Sequence, residues 1–205
     1  MVRSVGSINA AVDELAKREK AFAKVLERHG HPEPRVSDRG ATTLLRTIVG
    51  QQVSVAAARS MWTKLEAGYG APPDLKKILK ATDEELRLAG LSRQKAGYAR
   101  SLAGLALSGE LDLDHLPEDD EEAIAVLTKI KGIGRWSAEI YLLFAEGRTD
   151  VWPAGDLAVQ IEIGKLLGLE GKPTEKHLRE LGEAWRPHRG AVALLAWHSY
   201  NSEVL

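Results

Sequence analysis

Helical periodicity is the feature that most constrains the fold, because it runs along almost the whole chain. Apolar residues recur every three or four positions, which is the pattern of helices that each bury one face. The segments with this pattern are 8–28, 41–49, 54–67, 75–80, 82–90, 92–107, 119–130, 135–146, 156–167, 174–185 and 187–202. No segment shows the sustained apolar–polar alternation of a half-buried strand, so the sequence predicts an all-α protein of about ten helices.

The composition excludes several kinds of site. The chain has 205 residues, which is enough for one large domain or two small ones. It has no cysteine, which excludes disulfides, a thiolate nucleophile, cysteine-bound zinc and iron–sulfur clusters. No apolar window is long enough to span a membrane, and the N-terminus lacks the apolar core of a secretory signal. We therefore expect a cytoplasmic protein with no membrane contact.

The turn Gly132-Ile133-Gly134 is the first candidate for a binding site. It joins two predicted helices, and its glycines allow a tight turn and the close approach of another backbone. The N–H groups that begin the helix at Arg135 favour an anion, and Lys131 and Arg135 add positive charge. We expect Gly132, Gly134, Lys131 and Arg135 to contact a phosphate. An ordinary helical hairpin with a glycine-rich loop is the alternative.

The formal net charge of −1 does not decide whether this anion is nucleic acid. A protein that coats DNA non-specifically is usually basic, but a local basic face is enough for a small footprint. The acidic run at 118–122 opens the helix before the turn, where negative charge favours the helix dipole. We expect this run to lie about three helical turns from the glycine turn, too far to repel a phosphate held there.

Asp156 is the second candidate. It follows the loop Trp152-Pro-Ala-Gly155 and stands at the start of another predicted helix. Aspartate is favoured as a helix N-cap, so a capping role alone would explain it. The alternative is that Asp156 acts together with the glycine turn. A phosphate-binding turn that is followed about 20 residues later by a carboxylate suggests chemistry on a nucleic acid.

These two motifs, with three others, resemble the helix–hairpin–helix DNA glycosylase superfamily. The other matching segments are Gly50-Gln-Gln-Val-Ser-Val55, Gly90-Leu-Ser-Arg-Gln-Lys-Ala96 and Trp185-Arg-Pro-His-Arg189 with Trp197, so the likeness covers roughly 40–200. The branch that the chain resembles is the alkylated-base type, 3-methyladenine DNA glycosylase II. The resemblance implies two helical subdomains, 40–148 with the hairpin and 1–39 plus 149–205 with Asp156, and a cleft between them for a flipped base. It also implies a monomer that acts on double-stranded DNA.

The resemblance assigns the chemistry to Asp156, whose carboxylate would stabilise positive charge on the sugar as the N-glycosidic bond breaks. Trp136 stands where strand-cutting members have a Schiff-base lysine, so we expect no lyase step. Trp136, Trp197 and Gln51 are expected to line the base pocket, where aromatic faces attract cationic alkylated purines. Core packing is the alternative for both tryptophans.

Two further roles follow from the resemblance. Gln52 aligns with the wedge that fills the gap left by the flipped base, although a capping residue in a helix-linking turn is the alternative. The hairpin would hold a monovalent cation through main-chain carbonyls, while catalysis needs no cofactor. The carbonyls expected to bind this cation belong to Thr128, Ile130 and Ile133. Arg93 and Lys95 are either additional phosphate contacts or solvated surface charges.

The sequence therefore predicts a monofunctional DNA glycosylase that excises alkylated purines, such as 3-methyladenine and 7-methylguanine, in base excision repair. Two alternatives remain, a non-catalytic DNA-damage-binding module and a glycosylase for other damaged or mismatched bases. Several relatives have two consecutive acids where this chain has Gly155-Asp156, so we expect Asp156 to be the sole carboxylate at the sugar. Glu139 and His198 stay open as further acids.

Overall fold

The computed structural model describes residues 5–33 and 35–204, which form twelve α-helices, one short 3₁₀ helix and no strand. The predicted all-α class is therefore confirmed for these residues. Residues 1–4, 34 and 205, which the prediction assigned to the second subdomain, lie outside the described residues. The helices are α1 (Val5–Arg18), α2 (Lys20–His29), α3 (Ala41–Gly50), α4 (Val55–Tyr69), α5 (Leu75–Lys80), α6 (Asp83–Leu88), α7 (Arg93–Ser108), α8 (Asp120–Leu127), α9 (Arg135–Phe144), α10 (Leu157–Leu166), α11 (Glu175–Gly182), the 3₁₀ helix Glu183–Trp185 and α12 (Arg189–Val204).

The chain divides into two units. The central unit is Ser37–Tyr141, and the terminal unit is Met1–Val36 with Leu142–Leu205. The predicted boundaries, after residues 39 and 148, differ from these. The second boundary lies inside α9 rather than in the loop after it. One reason is that the hydroxyl of Tyr141 accepts a hydrogen bond from the N–H of Gly40 at 2.8 Å, which ties the last residue of the central unit to its beginning.

The core of the central unit is built around α7, which packs against α3, α5 and α6. Its buried face carries Ala96, Ala99, Leu102 and Ala103. Three of these four side chains are alanines, which allow neighbouring helices to approach closely. The hairpin of α8 and α9 follows α7 in the chain and belongs to this unit up to Tyr141.

The terminal unit is built around α12, which packs against α1, α2 and α10. The sequence predicted one helix over 8–28, and this is wrong because the chain forms α1 and α2. Glu19 breaks the helix with an extended backbone (φ −128°, ψ 111°), and its carboxylate accepts the N–H of Ala21 as an N-cap. The apolar repeat continues across the break from Leu15 to Phe22, so periodicity alone could not detect it.

None of the helices in the described residues combines the length and the apolar character that crossing a lipid bilayer requires.

Candidate active site

The glycine turn forms a tight hairpin between α8 and α9. The N–H of Ile133 donates to the carbonyl of Ile130 at 3.0 Å, and the side chains of both isoleucines are buried. The N–H of Lys131 donates to the hydroxyl of Ser101 at 3.1 Å, which anchors the turn to α7. The side chain of Lys131 is itself exposed. The turn is therefore anchored at two points, with a cation at its surface.

The two glycines of the turn serve different purposes. Gly132 has a φ of +86°, and a Cβ there would lie 2.2 Å from the ring of Tyr98. Gly134 has no such constraint, since a Cβ there would meet nothing within 4 Å. Gly132 is needed for the fold of the hairpin, whereas the space beside Gly134 is open to a molecule approaching from outside.

The side chain of Arg135, beside the turn, is paired with two carboxylates. Its Nε donates to Glu139 at 2.9 Å and its Nη1 to Glu121 at 2.8 Å, while its Nη2 also donates to Glu121. The hydrogen bonds to Glu121 are the main cause that raises the pKa of Arg135 above its ordinary value. The expectation that the acidic run is remote from the turn is therefore wrong, because Glu121 contacts the residue that directly follows Gly134.

The break between α3 and α4 is held at two points. The amide Nε2 of Gln51 donates to the carbonyl of Gly132 at 2.7 Å, which links the break to the hairpin. Nζ of Lys95 donates to the carbonyl of Val49 at 2.7 Å, and burial lowers the pKa of this lysine. Lys95 therefore caps the end of α3 instead of extending into solvent. Arg93, in contrast, is exposed, and its Nε lies 3.6 Å from Oδ2 of Asp83.

Gln52 occupies the tip of this break. It is exposed, and it has a φ of +54°, the one positive value at a non-glycine position among the described residues. A left-handed backbone at such a residue is strained, and strain of this kind concentrates at functional positions. The geometry is compatible with the predicted wedge, which stays a prediction.

A cavity of about 750 Å³ brings several of the predicted residues of the central unit together. Gln51, Gln52, Gly132 and Trp136 all line it, and so does Lys95. The side chain of Trp136 projects from the first turn of α9 and is 47% exposed, which excludes core packing as its role. The volume is within the usual range of small-molecule sites.

The predicted cation site consists of main-chain oxygens alone. The carbonyl of Ile130 already accepts the N–H of Ile133, and one lone pair of its oxygen stays available for a cation. Among the described residues, no group of three or more histidine, aspartate or glutamate side chains could hold a metal. Neutral carbonyls of this kind suit a monovalent cation better than a divalent one, which prefers carboxylates. Binding at Thr128, Ile130 and Ile133 stays a prediction.

Asp156 belongs to the terminal unit, where it is the N-cap of α10. Its Oδ1 accepts the N–H of Val159 at 3.0 Å and the indole Nε1–H of Trp197, also at 3.0 Å. Residues 151–154 of the loop before it are buried, whereas Gly155 is exposed. The loop ends in a tight turn, in which the N–H of Asp156 donates to the carbonyl of Pro153 at 2.9 Å. The carboxylate is half-buried and held by two donors from different helices.

Trp197 lies on α12 and is only 9% exposed. The guanidinium of Arg35 lies over its ring, 6.0 Å from the centroid, and the ring of Phe144 lies 5.7 Å away at a tilt of 40°. Trp197 also lines a cavity of about 130 Å³. This volume is well below that of a usual ligand site. Trp197 is thus largely buried, with aromatic and cationic neighbours, and its Nε1–H is hydrogen-bonded to Asp156.

Glu175 is a residue beside Gly155 that sequence reasoning missed. Its Oε2 lies 3.3 Å from the position that a Cβ on Gly155 would take, and Arg179 donates to its Oε1 at 2.7 Å. A second carboxylate therefore lies beside Gly155, the residue before Asp156. No local signal could have shown this, because Glu175 comes from the first turn of the next helix, α11. The expectation that Asp156 is the sole carboxylate at the sugar stays a prediction.

The two residues left open as additional acids are engaged elsewhere. Glu139 is buried in α9 and accepts from Arg135, as described above. Nε2 of His198 lies 2.9 Å from the carbonyl of His29. Since a carbonyl can only accept, this nitrogen of His198 carries the proton.

The chain is similar to known proteins of base excision DNA repair. Residues 45–187 match the model of the HhH-GPD superfamily of base excision DNA repair proteins. The DNA-3-methyladenine glycosylase 1 of Schizosaccharomyces pombe is 32% identical over 158 residues, which are 75% of this chain and 69% of that protein. DNA-3-methyladenine glycosylase 2 of Escherichia coli is 27% identical over 165 residues, which are 76% of this chain and 56% of that protein.

Solved structures show the same likeness over nearly the full chain. The S. pombe 3-methyladenine DNA glycosylase in complex with abasic DNA has a TM-score of 0.80 at 27% identity, covering 96% of this chain and 97% of that one. A DNA-3-methyladenine glycosidase from Bacillus halodurans has a TM-score of 0.85 at 29% identity, covering 95% of this chain and 90% of that one. The hairpin, the capping aspartate and these matches show that the chain belongs to the HhH-GPD superfamily of base excision DNA repair proteins.

Proposed function

We propose that this protein is a DNA glycosylase that hydrolyses the N-glycosidic bond of alkylated purines in base excision repair. The observation that carries the proposal is the carboxylate of Asp156, which two hydrogen-bond donors hold in place at the start of α10. Membership of the superfamily supports it, and so do the relatives named as 3-methyladenine glycosylases.

The chemistry needs a fixed negative charge beside the sugar. As the bond between C1′ and the base nitrogen lengthens, positive charge builds on the sugar, and the carboxylate of Asp156 stabilises it. The base leaves with the electron pair of the broken bond, and a water molecule adds to C1′ and releases one proton to solvent, which leaves a hydroxyl on the sugar. A purine that is cationic through alkylation leaves as a neutral molecule, so it requires no protonation by the protein.

The central unit supplies the contacts to DNA in this proposal. Lys131 and the open space beside Gly134 receive a phosphate, with the predicted monovalent cation on the neighbouring carbonyls. Gln52 is the wedge, and Trp136 and Gln51 line the base pocket. Trp136 replaces a Schiff-base lysine in α9, so release of the base leaves the strand intact. The monomeric state and the cytoplasmic location stay predictions.

Replacement of Asp156 by asparagine tests the proposal. Asparagine is an equally good N-cap, so we expect Asp156→Asn to fold and to bind duplex DNA. We expect the single-turnover rate of base release to fall by about 100-fold or more, because a neutral amide cannot offset the charge on the sugar. The substrates are duplexes carrying 3-methyladenine, 7-methylguanine, ethenoadenine or hypoxanthine, and a gel after heat-free work-up reports whether the strand is cut.

Asp119→Asn is the matched control. Asp119 caps α8 through its Oδ1, which accepts the N–H of Glu122 at 2.9 Å, so the same atoms change in another N-cap. This variant should release bases at the wild-type rate. Lack of release from every substrate by the wild-type protein would support the non-catalytic damage-binding alternative. Release of other damaged or mismatched bases only would support the second alternative, and strand cleavage would contradict the absence of a lyase step.

A further inference from the structure

The two tryptophans that the sequence assigns to one base pocket have different surroundings. Trp136 is 47% exposed and lines the cavity of about 750 Å³ in the central unit. Trp197 is 9% exposed, and it lies in the terminal unit beside Asp156. Two residues in such different surroundings are not expected to do the same work.

The polar edge of Trp197 is engaged by the carboxylate. An indole has one hydrogen-bond donor and no acceptor, and in Trp197 that donor goes to Oδ1 of Asp156 at 3.0 Å. The guanidinium of Arg35 lies over the ring, 6.0 Å from its centroid, and the ring of Phe144 lies 5.7 Å away. A cation over the ring already interacts with the negative charge of the π-system, so the ring is a poor site for a second cation.

The hydrogen bond acts on the orientation of the carboxylate. The N–H of Val159 belongs to α10, the helix that Asp156 caps, so its bond holds the carboxylate only relative to that helix. A second donor on the same oxygen, from a helix other than α10, holds the carboxylate relative to a second helix as well, before substrate binds. A reacting group fixed in advance contributes strongly to the rate, and a small displacement costs a large factor.

We propose that Trp197 is a positioning residue for Asp156 rather than part of the base pocket, and that discrimination between cationic and neutral bases belongs to Trp136. The inference rests on the proposed function, since it assigns Asp156 to the reaction. It separates two effects that can be measured independently. Loss of the Trp197 hydrogen bond should slow release of every base equally, whereas loss of the Trp136 ring should change the ratio between bases.

The test compares Trp197→Phe with wild type in single-turnover release of one cationic and one neutral base, both chosen from those that the wild-type protein releases. Phenylalanine keeps an aromatic ring and removes the N–H. We expect both rate constants to fall by about 10- to 100-fold and by the same factor, because a hydrogen bond to a charged group is lost. Affinity for a duplex with an abasic-site analogue should change by less than about three-fold.

Trp62→Phe is the matched control. Nε1 of Trp62 donates to the carboxylate of Glu66 at 2.7 Å, and the guanidinium of Arg46 lies over its ring, 4.1 Å from the centroid. The residue is 6% exposed, so the substitution removes the same kind of hydrogen bond from the same kind of environment. We expect this variant to release both bases at the wild-type rate, even where its thermal stability falls as much as that of Trp197→Phe.

Several results would overturn the inference. These are an unchanged rate in Trp197→Phe, a loss confined to the cationic base, or a loss of duplex affinity that accounts for the loss of rate. Where Trp197→Phe fails to fold, 3-benzothienylalanine at position 197 keeps the shape of the indole and has a sulfur atom, which cannot donate, in place of the N–H. The same three results apply to this variant. Failure of the wild-type protein to release any base would instead contradict the proposed function, and so the two failures are distinguishable.

Discussion

Single residues in the central unit have partners that change the roles their types suggest. Arg135 and Lys95 are both cations near the predicted phosphate site. The structure pairs Arg135 with Glu121 and Glu139, and it turns Lys95 towards the carbonyl of Val49. Lys131, which directly precedes the turn, and Lys129 have exposed side chains in the connection between α8 and α9. The positive charge available to DNA is therefore smaller than a count of lysines and arginines indicates.

Removal of the Glu121 carboxylate should strengthen binding to DNA. In Glu121→Gln the guanidinium of Arg135 loses its main partner and a negative charge near the turn disappears. We expect the affinity for duplex DNA to rise by about 3- to 10-fold at low salt, since one favourable phosphate interaction is worth about 1 kcal/mol. Fluorescence anisotropy with a labelled duplex measures the change.

Glu122→Gln is the control for this prediction. Glu122 lies in the same first turn of α8 as Glu121, so the substitution removes the same charge. Unlike Glu121, Glu122 forms no ion pair with Arg135 in the described residues. An equal rise in affinity for both variants would mean that net charge alone is responsible. No rise for Glu121→Gln would contradict a phosphate site next to Arg135.

At the scale of elements, the hairpin between α8 and α9 separates folding from binding. Gly132 is required by its positive φ and by the ring of Tyr98, whereas Gly134 leaves open space. The amide of Gln51 then links the hairpin to the α3–α4 break. One turn thus fixes the position of the strained tip at Gln52 relative to the predicted phosphate site.

The two glycines should respond differently to the same substitution. Gly132→Ala places a Cβ against Tyr98 in a left-handed backbone, and we expect it to destabilise the protein by about 1–3 kcal/mol, visible as a fall in the thermal midpoint. Gly134→Ala should leave the thermal midpoint unchanged and weaken duplex binding by about 3-fold or more, because the methyl group fills the space that a phosphate needs. A destabilised Gly134→Ala variant, or one that binds DNA normally, would contradict this division.

At the scale of the whole molecule, the formal net charge of −1 limits how the protein can bind DNA. Attraction to DNA must come from a small basic face rather than from the charge of the molecule. We therefore expect few phosphate contacts and a modest dependence of affinity on salt, with a slope of about −2 to −4 in a plot of log K against log salt concentration.

Lys131→Gln tests this footprint. Loss of one phosphate contact should reduce the magnitude of the salt slope by about 1, without any effect of DNA sequence. Lys64→Gln removes an exposed lysine from α4 and should leave the slope unchanged. A steep slope in the wild-type protein, or equal effects of the two substitutions, would show that the basic face is more extensive than the hairpin.

The sequence by itself determined the features that depend on near neighbours in the chain. These are the helical class, the glycine turn between α8 and α9, the N-cap at Asp156 and membership of the superfamily. Periodicity, capping preferences and glycine content are local properties, so they can be recognised without knowledge of the packing. The same locality explains the error at Glu19, where an unbroken apolar repeat conceals a break between two helices.

Only the tertiary structure decided which side chains meet. Glu121 with Arg135, Gln51 with Gly132, and Trp197 with Asp156 are pairs from different elements, separated by 14, 81 and 41 positions in the chain. Such contacts depend on how helices pack, and helical periodicity shows which face of a helix is buried but not what lies against it. For this reason the sequence indicates that Asp156 is a capping carboxylate, while the packing of α12 against α10 provides the indole that holds it.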